Sequence, residues 1–279
     1  MTHDLSRGLS FDAVAADYER FRPGYPPALF DDLADLAQLE PLARVLEIGC
    51  GTGQATRSLL ERGYRVLAVD PGASLARIAR TKFAGQSFAV ELSTFEDWDP
   101  QGRTFDLVFS STAFHWIEPA VRWTRAASAL GPGDSIALAT NQTVAGNTFD
   151  EFYDATRDLH AAFGVGGDGK PSPTRVQLIE DLAAADPDIA SVWSVVEHKF
   201  QGTLAGELFA RPVTRWHDWE CDFDTDGAIG LLSTFSEYLA IPVDRRLELF
   251  EAMRRVIDDR FGGHLTRHYL SVLTVAAKR

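Results

Sequence analysis

The chain has 279 residues with 40 acidic against 27 basic side chains, a formal charge of −13, and no Lys/Arg run longer than two, which argues against a nucleic-acid binder. A hydrophobic fraction of 45% with 24% charged residues excludes disorder, and no apolar stretch reaches the roughly 18 residues that span a bilayer. Residues 1–10 lack the basic start and apolar core of a leader, and Cys50 and Cys221 are too few for a disulfide framework, so the expectation is a cytoplasmic protein whose partner is a small molecule rather than a membrane.

In chain order, Phe11, Val14, Tyr18 and Phe21 recur at three- and four-residue steps and predict an amphipathic helix over 10–22, stopped by Pro23. Pro27 opens a second helix running to Leu39. The period then changes. Arg44 to Cys50, Tyr64 to Asp70, Ser87 to Thr94, Phe105 to Ser111 and Ser135 to Asn141 read as strands. Helices at 54–62, 74–83 and 119–130 alternate with them, the last ended by a Gly131-Pro132-Gly133-Asp134 turn. Strands joined by helices imply a parallel, doubly wound α/β sheet. Further on, 150–163, 173–185, 226–239 and 244–261 read as helices, while 191–200 and 267–277 read as two late strands.

The informative segment is Val45-Leu46-Glu47-Ile48-Gly49-Cys50-Gly51-Thr52-Gly53, which sets three alternate glycines at the carboxyl end of the first strand. In an open α/β sheet ligands bind there, and glycine lets the backbone turn with positive φ and meet a ligand as bare main chain. Asp70 ends the second strand, 17 positions beyond Gly53, where a carboxylate can accept both hydroxyls of a ribose. The spacing is G-x-G-x-G and not the G-x-G-x-x-G of dinucleotide folds, which favours a nucleoside without phosphates over NAD(P).

These segments resemble the class I S-adenosylmethionine-dependent methyltransferases, and within them the small-molecule branch that includes the ubiquinone-pathway and trans-aconitate enzymes. VLEIGCGTG looks like the first motif of that family, with Gly49, Gly51 and Gly53 under the methionine part of the cofactor and Glu47 helping to orient it. VLAVDPG is similar to the second, placing Asp70 on the ribose and Pro71 beside the adenine. Thr94, Phe95, Glu96, Asp97 and Trp98 resemble the segment at the adenine edge. FDLVFSSTAFHW, which contains Ser110, is similar to the fourth-strand motif, and YERFRPGYP to the opening helix that folds over the cofactor, which brings Tyr18 and Arg22 to it. ALGPGD departs from the usual L-[RK]-P-G-G, with Gly131 in place of the basic residue. The resemblance covers residues 11–141 and implies a Rossmann-like seven-stranded mixed sheet whose last strand is antiparallel. The expected organisation is a single domain: a helical cover at 1–40, a cofactor-binding core at 41–141, helical insertions at 142–190 and 202–262 around the substrate, and a last strand at 267–277.

On this reading a methyl group passes from S-adenosylmethionine to a small acceptor by in-line displacement, without a metal, leaving S-adenosylhomocysteine. His115 is the candidate base or substrate orienter. Phe114 and Trp116 either face the sulfonium or pack in the core. Arg22 either grips a carboxylate or lies at the surface, and Tyr25 follows it toward the substrate. Trp216 and Trp219, three apart, would share a helix face and line the substrate pocket or pack beneath the insertion. His264 and His268 have zinc-pair spacing but follow Gly262-Gly263 into a strand, so no metal is expected. The absence of a G-x-S-x-G elbow and of a Walker-type lysine takes support from hydrolase and triphosphatase readings. A NAD(P)-dependent oxidoreductase and a non-catalytic cofactor sensor are the alternatives, and the sequence does not speak to the number of subunits.

Overall fold

The structure is a computed structural model that describes residues 10–165, 172–197 and 205–279. A 3-10 turn, Ser10–Val14, leads into α1 (Ala15–Phe21) and α2 (Pro27–Leu36). The alternating part follows as β1 (Arg44–Ile48), α3 (Thr56–Glu61), β2 (Arg65–Asp70), α4 (Ala73–Lys82), β3 (Phe88–Leu92), β4 (Phe105–Ser111), α5 (Arg122–Ser128) and β5 (Leu130–Thr143). Then come α6 (Thr148–Ala155), α7 (Arg157–Ala162), α8 (Arg175–Ala184), α9 (Ile189–Val196), β6 (Val213–Asp224), α10 (Thr225–Ser233), α11 (Ser236–Leu239), α12 (Val243–Phe261) and β7 (His264–Ala277).

The strands form one seven-stranded sheet in the order β3-β2-β1-β4-β5-β7-β6. β1 pairs in parallel with both β2 and β4, β4 with β5 likewise, and β7 runs antiparallel to β5 and β6. The period-2 alternation of side chains feeds two cores. Val45, Leu107, Phe109, Ala137 and Leu273 meet Leu29, Phe30 and Leu33 of α2 on one face. Leu46, Val108, Ile136, Leu138 and Val272 meet Trp123 and Trp193 on the other. Both faces are covered, so these strands read as continuous apolar runs, and each fully buried Leu or Phe contributes about 1.5–3 kcal/mol. A third core joins α6, α10 and α12 through Phe149, Phe152, Leu232 and Met253.

The parallel half of the sheet matches the sequence reading, and so does the antiparallel last strand. Three segments do not. Residues 191–196 belong to helix α9, not to a strand: Ile189, Val192, Trp193 and Val196 recur at helical spacing and bury that face, with Asp188 capping its start. Residues 198–200 of that expected strand lie outside the described residues. The sixth strand is β6, inside a segment read as a helical insertion, and its alternation is masked by polar and charged side chains at a sheet edge. Residues 131–134 open β5 beside a register shift against Phe105 and Leu107 and are not a free-standing turn. No helix of the described residues is long and apolar enough to cross a membrane.

Candidate functional site

Strand order reverses at β1, whose neighbours β2 and β4 carry their connections in opposite directions, and the crevice at the carboxyl ends of these strands is where an open sheet leaves room for a ligand. The glycine turn sits there. Gly49 has φ +71°, and a Cβ would stand 2.4 Å from Ala113 Cβ, so only glycine fits. Gly51 has φ +56° with Tyr18 at ordinary contact distance, and both glycines line a cavity of about 680 Å³. Gly53 is different. Its φ is +93°, its would-be Cβ lies 2.3 Å from the ring of Phe83 at the end of α4, and it is not at the cavity wall: both the backbone turn and this packing require glycine there.

Asp70 ties the turn to β2. Its Oδ2 accepts from the Gly51 N–H at 2.8 Å and its Oδ1 from the Gly72 N–H at 2.8 Å, in a side chain only 4% exposed that lines the cavity. Burial pushes its carboxyl up to about 6, against the pull of those two donors. Glu47 does not reach the cavity. It is fully buried behind the turn, its Oε2 accepts from Thr56 Oγ1 at 2.6 Å, and burial followed by the charge of Asp70 pushes it up to about 7. Its place is the joint between the turn and α3, off the cavity wall where the sequence reading had put it.

From Asp70 the cavity runs past Pro71, Leu75, Thr94, Phe95, Glu96 and Ile117, an apolar slot with two polar residues at its edge. The cover is pinned above it. Asp12 Oδ1 accepts from the Ser74 and Leu75 N–H groups at the start of α4 (2.5 and 3.1 Å), and Phe11 meets Tyr18 and Trp116 edge-on. Arg22 lines the opposite end: its Nε donates to Thr234 Oγ1 at 2.8 Å and its Nη2 to the Thr234 carbonyl at 2.9 Å, between the rings of Tyr18 and Phe235. Tyr25 shares a 2.8 Å hydrogen bond with Thr112, a β-branched residue held at φ +53°, the kind of backbone strain that persists where the surroundings impose it.

β4 delivers the remaining residues. Ser110 is fully buried and donates to the Ile48 carbonyl at 2.8 Å, stitching β4 to β1, so it faces away from the cavity that Ser111 and Thr112 line. In the 3-10 turn Phe114–Trp116, Phe114 packs on Trp123 with ring centroids 4.9 Å apart and belongs to the core, whereas His115 and Trp116 reach the wall. His115 is 7% exposed with Nδ1 3.4 Å from Glu197 Oε2, and Thr140 Oγ1 donates to the other oxygen of that carboxylate at 3.1 Å.

Trp216 and Trp219 are not on a helix. On β6 an odd spacing sends them to opposite faces. Trp216 is half exposed, while Trp219 stacks on Tyr269 at 4.7 Å and donates to Ser271 Oγ at 2.7 Å; neither lines the cavity. His264 and His268 on β7 face Asp222 and Glu220 across the β6–β7 ladder, and no group of three metal-capable side chains stands together among the described residues.

Sequence reasoning missed Gln142, Glu197, Phe235, Glu237 and Arg267. Only Arg267 had a legible signal: Leu265, Arg267 and Tyr269 alternate on one buried face of β7, and a charge in that register is out of place in a core.

Comparison with known proteins agrees with this geometry. Residues 45–133 match the family described as the methyltransferase domain. Uncharacterized methyltransferases of Mycobacterium tuberculosis and Mycobacterium bovis are 37% identical over 172 residues, 62% of this chain and 65% of theirs, so the match spans a little under two thirds of these relatives. A trans-aconitate 2-methyltransferase of Rhodopseudomonas palustris is 34% identical over 123 residues, 43% of this chain and 44% of the relative. Among solved structures, a protein of Anaeromyxobacter dehalogenans assigned as a type II methyltransferase shares the fold with a TM-score of 0.55 at 21% identity, covering 92% of this chain and 98% of that one.

Proposed function

We propose that this chain, which belongs to the class I S-adenosylmethionine-dependent methyltransferases, binds S-adenosylmethionine in the cavity beside the glycine turn and transfers its methyl group to a small-molecule acceptor. The observation that carries the reading is the carboxylate of Asp70. It is fixed by two backbone donors in a cavity that Phe95 and Ile117 also line, an arrangement suited to a ribose and its base.

S-adenosylmethionine supplies a methyl on a positively charged sulfur, already activated for displacement. The chain's own task is alignment and exclusion of water, which can lower such a barrier by on the order of 7 kcal/mol or more. Gly49 and Gly51 hold the amino-acid tail against bare main chain, and Arg22, whose guanidinium burial pulls below its ordinary value, binds its carboxylate. Pro71, Thr94, Phe95 and Glu96 take the base, and Trp116 with Phe11 closes the roof. His115, oriented beside Glu197, accepts the proton that the acceptor's nucleophile releases.

The test is to incubate the protein with methyl-labelled S-adenosylmethionine and a protein-free extract of small metabolites. Label moving into a new low-molecular-weight product is expected. A protein that S-adenosylhomocysteine leaves thermally unshifted while NADH stabilises it would contradict the reading.

A further inference from the structure

Arg267 stands in an unusual position. It lies on β7, 8% exposed, over the rings of Phe149, Phe235 and Tyr269 at 5.2, 5.3 and 5.5 Å, and it lines the main cavity together with a smaller annex of about 140 Å³ that opens from the same wall. Its Nε and Nη2 both donate to the single hydroxyl of Thr143, at 3.2 and 2.8 Å. Nη1 has no acceptor at full hydrogen-bond geometry, the Tyr269 hydroxyl being the polar group that faces the guanidinium, and no ion pair within 4.0 Å joins this side chain to a carboxylate among the described residues. Glu237, on the cavity lip, is felt only at longer range.

A permanently charged group out of water without a counter-ion is costly, and guanidinium is the side chain suited to holding a carboxylate with two parallel hydrogen bonds. Tyr25 and Asn141, which also line the annex, are hydrogen-bonded within the chain, Tyr25 to Thr112 and Asn141 to Ser271 and the Gly24 carbonyl. Arg22 and Arg267 repel each other across this space. Two cations therefore face one cavity, whereas a methionine tail brings a single carboxylate. Arg22 stacks on Tyr18, which touches Gly51, so it stands on the turn side. Arg267 stacks on Phe149 of α6 and stands on the side of the later helices.

We propose that Arg267 is the anchor for a carboxylate of the methyl acceptor, so that the acceptor is an organic acid whose anionic end lies in the annex while its nucleophile faces the cavity. This rests on the reading that the first carboxylate belongs to the cofactor.

Acetate is a probe small enough for the annex. Titrated calorimetrically into protein saturated with S-adenosylhomocysteine, it should bind saturably, with acetamide giving no signal. Arg267→Met should weaken acetate by about tenfold or more and Arg267→Lys by less, since a lysine keeps the charge but not the fork. S-adenosylhomocysteine should bind both variants as it binds the parent, which also shows that they fold. Absence of saturable acetate binding to the loaded protein, or equal binding by Arg267→Met, overturns the proposal and leaves the cofactor reading standing. A large loss of S-adenosylhomocysteine affinity in folded Arg267→Lys moves this arginine to the cofactor and also overturns it. Failure of the parent protein to bind S-adenosylhomocysteine at all removes both.

Discussion

The two walls of the cavity are made differently. Residues 45–96 build theirs from backbone turns, a carboxylate two residues from the amide it holds, and contacts between neighbouring βα units. The facing wall gathers Gln142, Phe235 and Arg267 from β5, the α10–α11 junction and β7, distant in the chain and brought together by the antiparallel end of the sheet. A nucleoside is a constant ligand that main-chain geometry can recognise, whereas an acceptor is recognised by side chains on separate elements. The first wall can therefore be a motif, and the second cannot.

That contrast can be broken by experiment. The largest effect should come from His115→Asn, which removes the proposed proton acceptor and should lower the methyl-transfer rate by about a hundredfold or more, with S-adenosylhomocysteine affinity unchanged by calorimetry. An unaltered rate would leave the imidazole a packing role beside Glu197. Next, Asp70→Ala should weaken S-adenosylhomocysteine by about a hundredfold, as expected for losing a charged acceptor of two hydroxyls. Because burial places the Asp70 carboxyl at about 6, the neutral form dominates below that pH and accepts poorly. Affinity should thus be flat above pH 7 and fall by up to about tenfold per unit below 6, a slope that Asp70→Asn abolishes.

The glycines sharpen the contrast within the first wall. Gly53→Ala drives a methyl into Phe83 and should cost about 1–3 kcal/mol in denaturant unfolding. Gly51→Ala, whose Cβ meets Tyr18 only at ordinary contact distance, should cost about 1 kcal/mol for its left-handed backbone, with its larger effect on cofactor binding. The reverse order of stabilities would mean that the turn is shaped by its ligand and not by helix packing. The smallest effect belongs to Trp216→Ala, which lies outside the cavity and should leave both activity and stability within about 0.5 kcal/mol.

What the sequence made legible follows the same division. The β1 turn and Asp70 line the cavity at the positions their spacing indicated, and the Thr94–Glu96 edge and the cover residues Tyr18 and Arg22, expected from the family resemblance, line it too. Glu47, Gly53 and Ser110 were read as ligand-facing and stand off the cavity wall, and of the two readings of Phe114 the core one holds, since a motif records which residues recur around a site without recording which way each side chain turns. Strand β6 was invisible: Val213–Asp224 alternates apolar residues with charges whose partners, among them His268 for Glu220, Thr266 for Asp222 and Arg175 for Asp218, are distant in the chain and supplied only by the fold. With β6 unread, Trp216 and Trp219 were given a shared helical face, and the run 191–200 was given to the sheet in its place.

The most direct test is the crystal structure of the complex with S-adenosylhomocysteine. The account predicts the ribose hydroxyls on the Asp70 carboxylate, the adenine between Pro71 and Phe95, the tail over Gly49 and Gly51 toward Arg22, and Arg267 free of the product. Adenosine bound anywhere else, or a tail carboxylate seated on Arg267, would contradict it.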